Sequence, residues 1–410
     1  MTKQLTKIVL LLITVFVITG ESSAKQPVLV ISIDGMDQRY LSERDKLGLK
    51  IPNLKRLMRE GQWSAGVLGV VPTVTWPSHT TMITGLDPTE HGILNNKRPA
   101  AEGGEYYWSV DLLKTTTLLD AAHQAGLKTA TITWPVTVGA ASDFNLPEYF
   151  GKRRGASMDL QTMSTKSNPR DFPDRITKMF PSFHQEWVDD RTRILALRYL
   201  LRTHRPDFTL VHLVDLDNEA HENGPFTREA LSLLEYQDEL IGTVLEDLPS
   251  NYVIVIVSDH GFEKIDREVN LNIIAAQRSV KGMRLIGGMA VAQDAQAYNL
   301  LRDLQTDPKF GIGRMIPKDE IQRFAPTLAD SAAVFESAAG VWFGTSNERE
   351  VFPKPEQLGE HGHWPTRYRA AFLAKGPGIQ PERLPEMSMK DICQKLATFL
   401  GISFHPSPRR

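Results

Sequence analysis

Aspartates and histidines recur in this chain just after short apolar runs, where a side chain would stand at the tip of a strand. The run 28–33 leads into Asp34-Gly35, the run 208–214 into Asp215, Asp217 and His221, and the run 252–257 into Ser258-Asp259-His260-Gly261. His361 and His363 follow near a glycine turn, in Gly359-Glu360-His361-Gly362. One such residue alone reads equally well as a cap or turn former. Several together point to metal, and mixed carboxylate and imidazole sets suit zinc, whereas mostly carboxylate sets would suit magnesium or manganese. Hydrolysis of a phosphodiester needs an aligned nucleophile, neutralised equatorial oxygens and a stabilised leaving alkoxide, and two divalent ions about 4 Å apart meet those needs.

The elements that must position these residues follow from hydrophobic pattern. Runs 28–33, 129–133, 208–214 and 252–257 are apolar and β-branched, as strands buried on both faces are. Between them, 51–60, 117–125 and 192–203 have amphipathic helical spacing, with Pro52 in a first turn and Gly61 and Gly126 as terminators. Alternation of this kind predicts a doubly wound α/β layer fold, with a largely parallel central sheet flanked by helices. Open parallel sheets bind ligands beyond the carboxyl ends of their strands, where the polar clusters fall. The rhythm breaks over 271–359, which reads as a small sub-domain inserted in one catalytic domain spanning 25–405.

At 410 residues the chain can bury a large core, and 41% hydrophobic and 23% charged residues with a net charge of -2 describe an ordinary globular protein. No basic surface for a nucleic-acid polymer is expected. The single cysteine, Cys393, lies in an apolar helical pattern and reads as buried packing. Lys3 and Lys7, the apolar run 8–18 and Ser22-Ser23-Ala24 form a signal-peptide pattern over 1–24, so a periplasmic or secreted protein beginning near Lys25 is expected, free of the membrane once cleaved. An uncleaved anchor is the competing reading. The pattern fixes no oligomeric state.

Around these residues lies a second set of motifs: Val71-Pro72-Thr73-Val74-Thr75-Trp76-Pro77-Ser78-His79, then Thr84-Gly85, then His91-Gly92-Ile93-Leu94-Asn95-Asn96. With Ser32-Ile33-Asp34-Gly35, Asp217-Asn218-Glu219-Ala220-His221, Gly224-Pro225 and the two glycine-histidine motifs above, the chain resembles the nucleotide pyrophosphatase/phosphodiesterase family of the alkaline phosphatase superfamily, in its bacterial single-domain form. The resemblance implies an alkaline-phosphatase-like fold and two Zn2+ ions. Asp34, Thr75, Asp259 and His260 would hold one ion, and Asp217, His221 and His361 the other. It implies that Thr75 is the nucleophile and forms a phosphoryl-threonine, and that Asn96 donates to a non-bridging phosphate oxygen. Thr73, Asp215 and His363 are rivals that lack the family register. His79 and His91 read as loop supports and Asn95 as a turn residue. Ser78 and Ala220 depart from the usual asparagine and glycine without touching a ligand.

Trp76 aligns with an aromatic that stacks on the base in nucleotide-cleaving relatives, and packing of the loop explains it equally well. No arginine flanks Thr75 to clamp a second free phosphate oxygen, so a small-molecule phosphodiester is expected, and the resemblance implies a nucleotide above all. Threonine in place of cysteine or serine disfavours a sulfatase. The alternatives are a phospholipid- or phosphonate-directed hydrolase on the same site and, from another class, a non-catalytic envelope binding protein.

Overall fold

The computed structural model describes residues 25–150, 160–183, 188–344 and 350–409. The signal-peptide segment 1–24 lies outside the described residues.

β1 (Val28–Ile33) is buried along its whole length. Alternate side chains serve opposite cores: Leu29, Ile31 and Ile33 join one apolar cluster, Val28 and Val30 the other. This is why the strand reads as continuous apolar sequence, since both faces of the sheet are covered. Each fully buried Val, Leu or Ile contributes about 1.5–3 kcal/mol, so the strands that end at the site are among the most firmly held elements. One face is covered by α1 (Pro52–Glu60). β2 (Gln62–Ser64) follows it at the sheet margin. The opposite face receives α2 (Thr75–Thr84) and α3 (Leu118–Gln124).

β3 (Thr129–Ile132) and β4 (Phe144–Leu146) extend the sheet in parallel. After α4 (Asp190–Thr203) comes β5 (Phe208–Leu213), paired in parallel with both β1 and β3. α5 (Asp215–Asn223) and α6 (Arg228–Asp247) lead to β6 (Val253–Val257), parallel to β1 on its other side.

Beyond β6 the chain builds a second, antiparallel sheet from β7 (Met283–Ile286), β8 (Met289–Ala292), β9 (Ile312–Met315) and β10 (Ala333–Ser337), in the order β7-β8-β10-β9. α7 (Ala295–Gln305) packs on it around a separate apolar cluster. The main sheet is then completed by β11 (Phe372–Lys375) and β12 (Glu382–Leu384), and α8 (Lys390–Leu400) closes the second face. Its order is β12-β2-β11-β6-β1-β5-β3-β4. The expected parallel core is present, with β11 running antiparallel to both its neighbours. Cys393 is buried in α8.

Candidate metal centre and nucleophile

Strand ends of the parallel core deliver the carboxylates. β1 ends at Asp34, and Gly35 behind it has φ +68°. A Cβ there would stand 2.5 Å from the Phe262 ring, so glycine alone lets the chain turn away beneath Asp34. β6 passes through Ser258 into Asp259 and His260. Ser258 Oγ donates to Met36 O at 2.7 Å and accepts from Ala371 N at 2.8 Å. Gly35 N and His260 N donate to Asp259 Oδ1 at 3.1 and 3.0 Å, which leaves Oδ2 3.2 Å from His260 Nε2. Asp217 and His221 lie one turn apart on α5, with Nε2 3.6 Å from Oδ2. His361 arrives after the second sheet: its Nε2 is 3.8 Å from Asp217 Oδ1, and its ring stacks on His260 at 3.6 Å.

The donor atoms fit metal. Asp34 Oδ1, Asp217 Oδ1, Asp259 Oδ2 and both ring nitrogens of His260 are buried with no hydrogen-bond partner among the described residues. Leaving a buried polar group unpaired costs about 1–3 kcal/mol, more when it is charged, so a cluster of them marks a place for a cation. His221 and His361 each direct Nδ1 at a carbonyl, Gly359 O at 2.9 Å and Thr73 O at 3.1 Å. Nε2 then keeps its lone pair, the state in which imidazole ligates metal. Donor atoms of Asp217, His221 and His361 lie within 4.8 Å of one another, as do those of Asp34, Asp217 and His260. Asp217 thus stands between two groupings, and Asp259 adjoins the second through His260.

Charge is poorly balanced by the side chains alone. Burial, reinforced by the Asp217 and Asp259 charges, raises the Asp34 pKa well above the carboxylate range. Burial pushes Asp259 up to about 6. It also lowers His260 well below the imidazole value, and His361 to about 4. These shifts are what crowded ligands show before a divalent charge is added.

Thr75 opens α2 and is 5% exposed. Trp76 N, in the first turn, donates to Asn96 Oδ1 at 3.0 Å. That bond ties Asn96 to the helix start and leaves its NH2 group to donate elsewhere. The Thr73 hydroxyl donates to His363 O at 2.9 Å. His363 is buried beside Ser337, outside both Asp/His groupings. His79 bridges Thr75 O and Ser32 Oγ, both at 2.9 Å. His91 links Thr81 Oγ1 to Ile93 N, each at 3.2 Å. Asn95 Oδ1 accepts from Asn96 N at 2.8 Å. Asp215 accepts from Asp190 N at 3.0 Å and lies 3.6 Å from Arg193, so it belongs to a buried network behind α5. Trp76 is 4% exposed, and its ring lies 4.7 Å from Tyr106 and 6.0 Å from Trp108.

Two participants escaped the sequence reading. His212, inside the apolar run of β5, is fully buried with Nε2 2.8 Å from Asp34 Oδ2 and Nδ1 3.0 Å from Glu148 Oε2. Burial alone would lower its pKa; the Glu148 and Asp34 carboxylates override it and hold the ring well above the usual value. The only sequence signal was a histidine at a strand position otherwise reserved for apolar side chains.

A parallel-cored α/β sheet, with carboxylates and imidazoles gathered beyond its strand tips and a threonine at a helix start beside them, defines an alkaline-phosphatase-like protein. The chain belongs to the type I phosphodiesterase / nucleotide pyrophosphatase family, whose profile matches residues 28–357. It is 27% identical over 264 residues to a venom phosphodiesterase of Macrovipera lebetinus, covering 59% of this chain and 26% of that protein. It is 25% identical over 276 residues to ectonucleotide pyrophosphatase/phosphodiesterase family member 1 of Homo sapiens, covering 64% of this chain and 26% of that one. The match therefore spans about a quarter of the length of these curated relatives. The fold is similar to that of murine ectonucleotide pyrophosphatase/phosphodiesterase 5, with a TM-score of 0.64 at 18% identity over 94% of this chain and 98% of that one. An inactive single-residue variant of that murine protein, with a similar match, is in complex with AMP.

Proposed function

We propose that the protein is a two-zinc hydrolase that cleaves phosphodiester or pyrophosphate bonds of nucleotides through a phosphoryl-threonine on Thr75. The observation that carries the reading is the set of unpartnered, buried carboxylate and imidazole atoms at the strand tips. Asp34, Thr75, Asp259 and His260 would hold one ion, and Asp217, His221 and His361 the other. When bound, the ions supply positive charge against phosphate oxygens and ease loss of a proton from a hydroxyl or water.

Thr75 Oγ1 attacks phosphorus in line with the departing alkoxide and carries the phosphoryl group until water releases it. Its place on the first turn of a ten-residue helix adds the positive end of the helix dipole. Thr73 is the weaker candidate because its hydroxyl is already committed to His363 O. Asn96, held by Trp76 N, donates from its NH2 group to a non-bridging oxygen. The half-buried Tyr106 and Phe150, backed by Trp76 and Trp108, form an aromatic wall suited to a nucleobase. The AMP complex of the murine relative supports the nucleotide preference. We further propose that the protein is exported, on the strength of the 1–24 pattern; among the described residues no helix is long and apolar enough to cross a membrane.

The deciding experiment compares turnover of a p-nitrophenyl nucleotide ester, p-nitrophenyl phosphate and a choline phosphodiester, with metal content measured on chelator-free protein. Fastest turnover of the nucleotide ester with two zinc equivalents is expected. A large preference for the monoester overturns the diesterase reading, and iron or manganese in both positions overturns zinc.

A further inference from the structure

His212 holds a place that an apolar residue would fill more cheaply. It lies in β5 between β1 and β3, with no exposure to solvent. Among the described residues its nitrogens meet hydrogen-bond acceptors: Asp34 Oδ2 at 2.8 Å from Nε2, then Glu148 Oε2 at 3.0 Å and Thr133 O at 3.1 Å from Nδ1. Glu148 follows β4, is 3% exposed, and approaches across 64 residues of sequence. The backbone is clamped at the same point, because Thr133 Oγ1 donates to His212 O at 2.7 Å and accepts from Arg193 Nε at 3.1 Å. The ring is therefore held at both nitrogens and its backbone at the carbonyl.

The effect falls on Asp34. One of its oxygens is taken by His212; the other, Oδ1, has no partner among the described residues and lies 3.3 Å from His260 Nε2. A carboxylate pinned in this way offers one oxygen to an ion and cannot rotate to offer two. Groups behind a metal's direct ligands commonly act so, and their removal costs about 10–100-fold in metal affinity.

We infer that His212, braced by Glu148, is a positioning residue that fixes Asp34 so that Oδ1 alone faces the metal pocket. This rests on the reading of Asp34 and His260 as metal ligands, and it concerns one of the two ion positions. Neither His212 nor Glu148 touches Asp217, His221 or His361 through any hydrogen bond or ion pair among the described residues.

The test is metal titration of the full-length protein and of His212→Gln and Glu148→Gln, each stripped with chelator and refilled with Co2+ against a chromophoric competitor. The cobalt absorption bands report each position, and circular dichroism of the stripped proteins reports folding. Wild type should take up two ions. His212→Gln should bind one of them about 10–100-fold more weakly with altered cobalt bands, the other unchanged; Glu148→Gln should weaken the same ion by a smaller factor. A wild type that binds no metal sinks the proposed function itself. A wild type that binds two, with both variants matching it or weakening both ions equally, overturns this inference alone. Should His212→Gln fail to fold, the milder Glu148→Gln decides by the same criterion.

Discussion

The two halves of the Asp/His cluster are built differently. Asp34, Asp259 and His260 stand on the tips of neighbouring parallel strands and are 2% exposed or less. The two carboxylates each have one oxygen engaged close to the strand tips: Asp34 by His212, and Asp259 by two backbone amides. Asp217, His221 and His361 come from a helix and from the segment that returns after the second sheet, and the His221 side chain is 17% exposed. Their bracing groups are single carbonyls on other segments, Gly359 O and Thr73 O. The sheet-borne half is set by strands buried along their whole length, whereas the other half needs distant segments to meet. An ion in the second half should be the easier to exchange.

Under the proposed chemistry Thr75 is the nucleophile, and its removal should have the largest effect. Thr75→Ala is expected to lower kcat by at least about 10³-fold while the ion of Asp217, His221 and His361 stays bound, as elemental analysis would reveal; if that ion leaves too, the halves are not independent of each other. Asn96→Ala should lower kcat by about 10²–10³-fold with little change in metal content, measured by steady-state kinetics on the nucleotide ester. The comparison itself is probed most directly by His221→Gln, which should weaken one ion about 10–100-fold and spare the other. Timed chelation of the wild type should likewise release the two ions in separate phases; a single phase breaks the distinction drawn here.

A control lies outside both halves and should leave turnover untouched. His91 is neutral as folded, accepting from Ile93 N through Nδ1 and meeting Thr81 through Nε2, and burial lowers its pKa to about 3. The unfolded chain, with an ordinary imidazole, binds that proton first, so this contribution to stability is whole above about pH 6.5 and is lost as pH falls towards 3. Relative to His91→Asn, the wild type should lose up to about 1.4 kcal/mol per pH unit in that window, read from denaturant midpoints. At any one pH the two proteins should hold the same amount of metal. A parallel pH dependence in the two proteins would show that His91 is not the responsible group.

Much of the fold was legible because four buried strands read as apolar runs, and because Pro52, Gly61 and the spacing of 192–203 marked helices. The parallel core and its polar strand tips followed. The two outer strands β12 and β2 were not legible: Glu382–Leu384 and Gln62–Ser64 are three residues long and partly exposed, too short for a period to show. β11 was hidden for another reason, since nothing in 372–375 announces that it runs against its neighbours. At the site, the motifs singled out Asp34, Asp217, His221, Asp259, His260 and His361, which the fold brings together. His212 and Glu148 stayed invisible because their importance lies in a contact across 64 residues. Trp76 could not be assigned from sequence between packing and stacking, because only its neighbours Tyr106 and Trp108 decide how much of the ring is left uncovered.

The bond from His361 Nδ1 to Thr73 O joins residues 288 positions apart. A ribosome that has delivered the threonine loop has therefore not yet delivered the last imidazole, and the whole antiparallel excursion must be synthesised in between. Under the proposed chemistry, a nascent or truncated chain would be inert towards nucleotides however well its first half had folded. Synthesis order would thus act as a built-in safety catch.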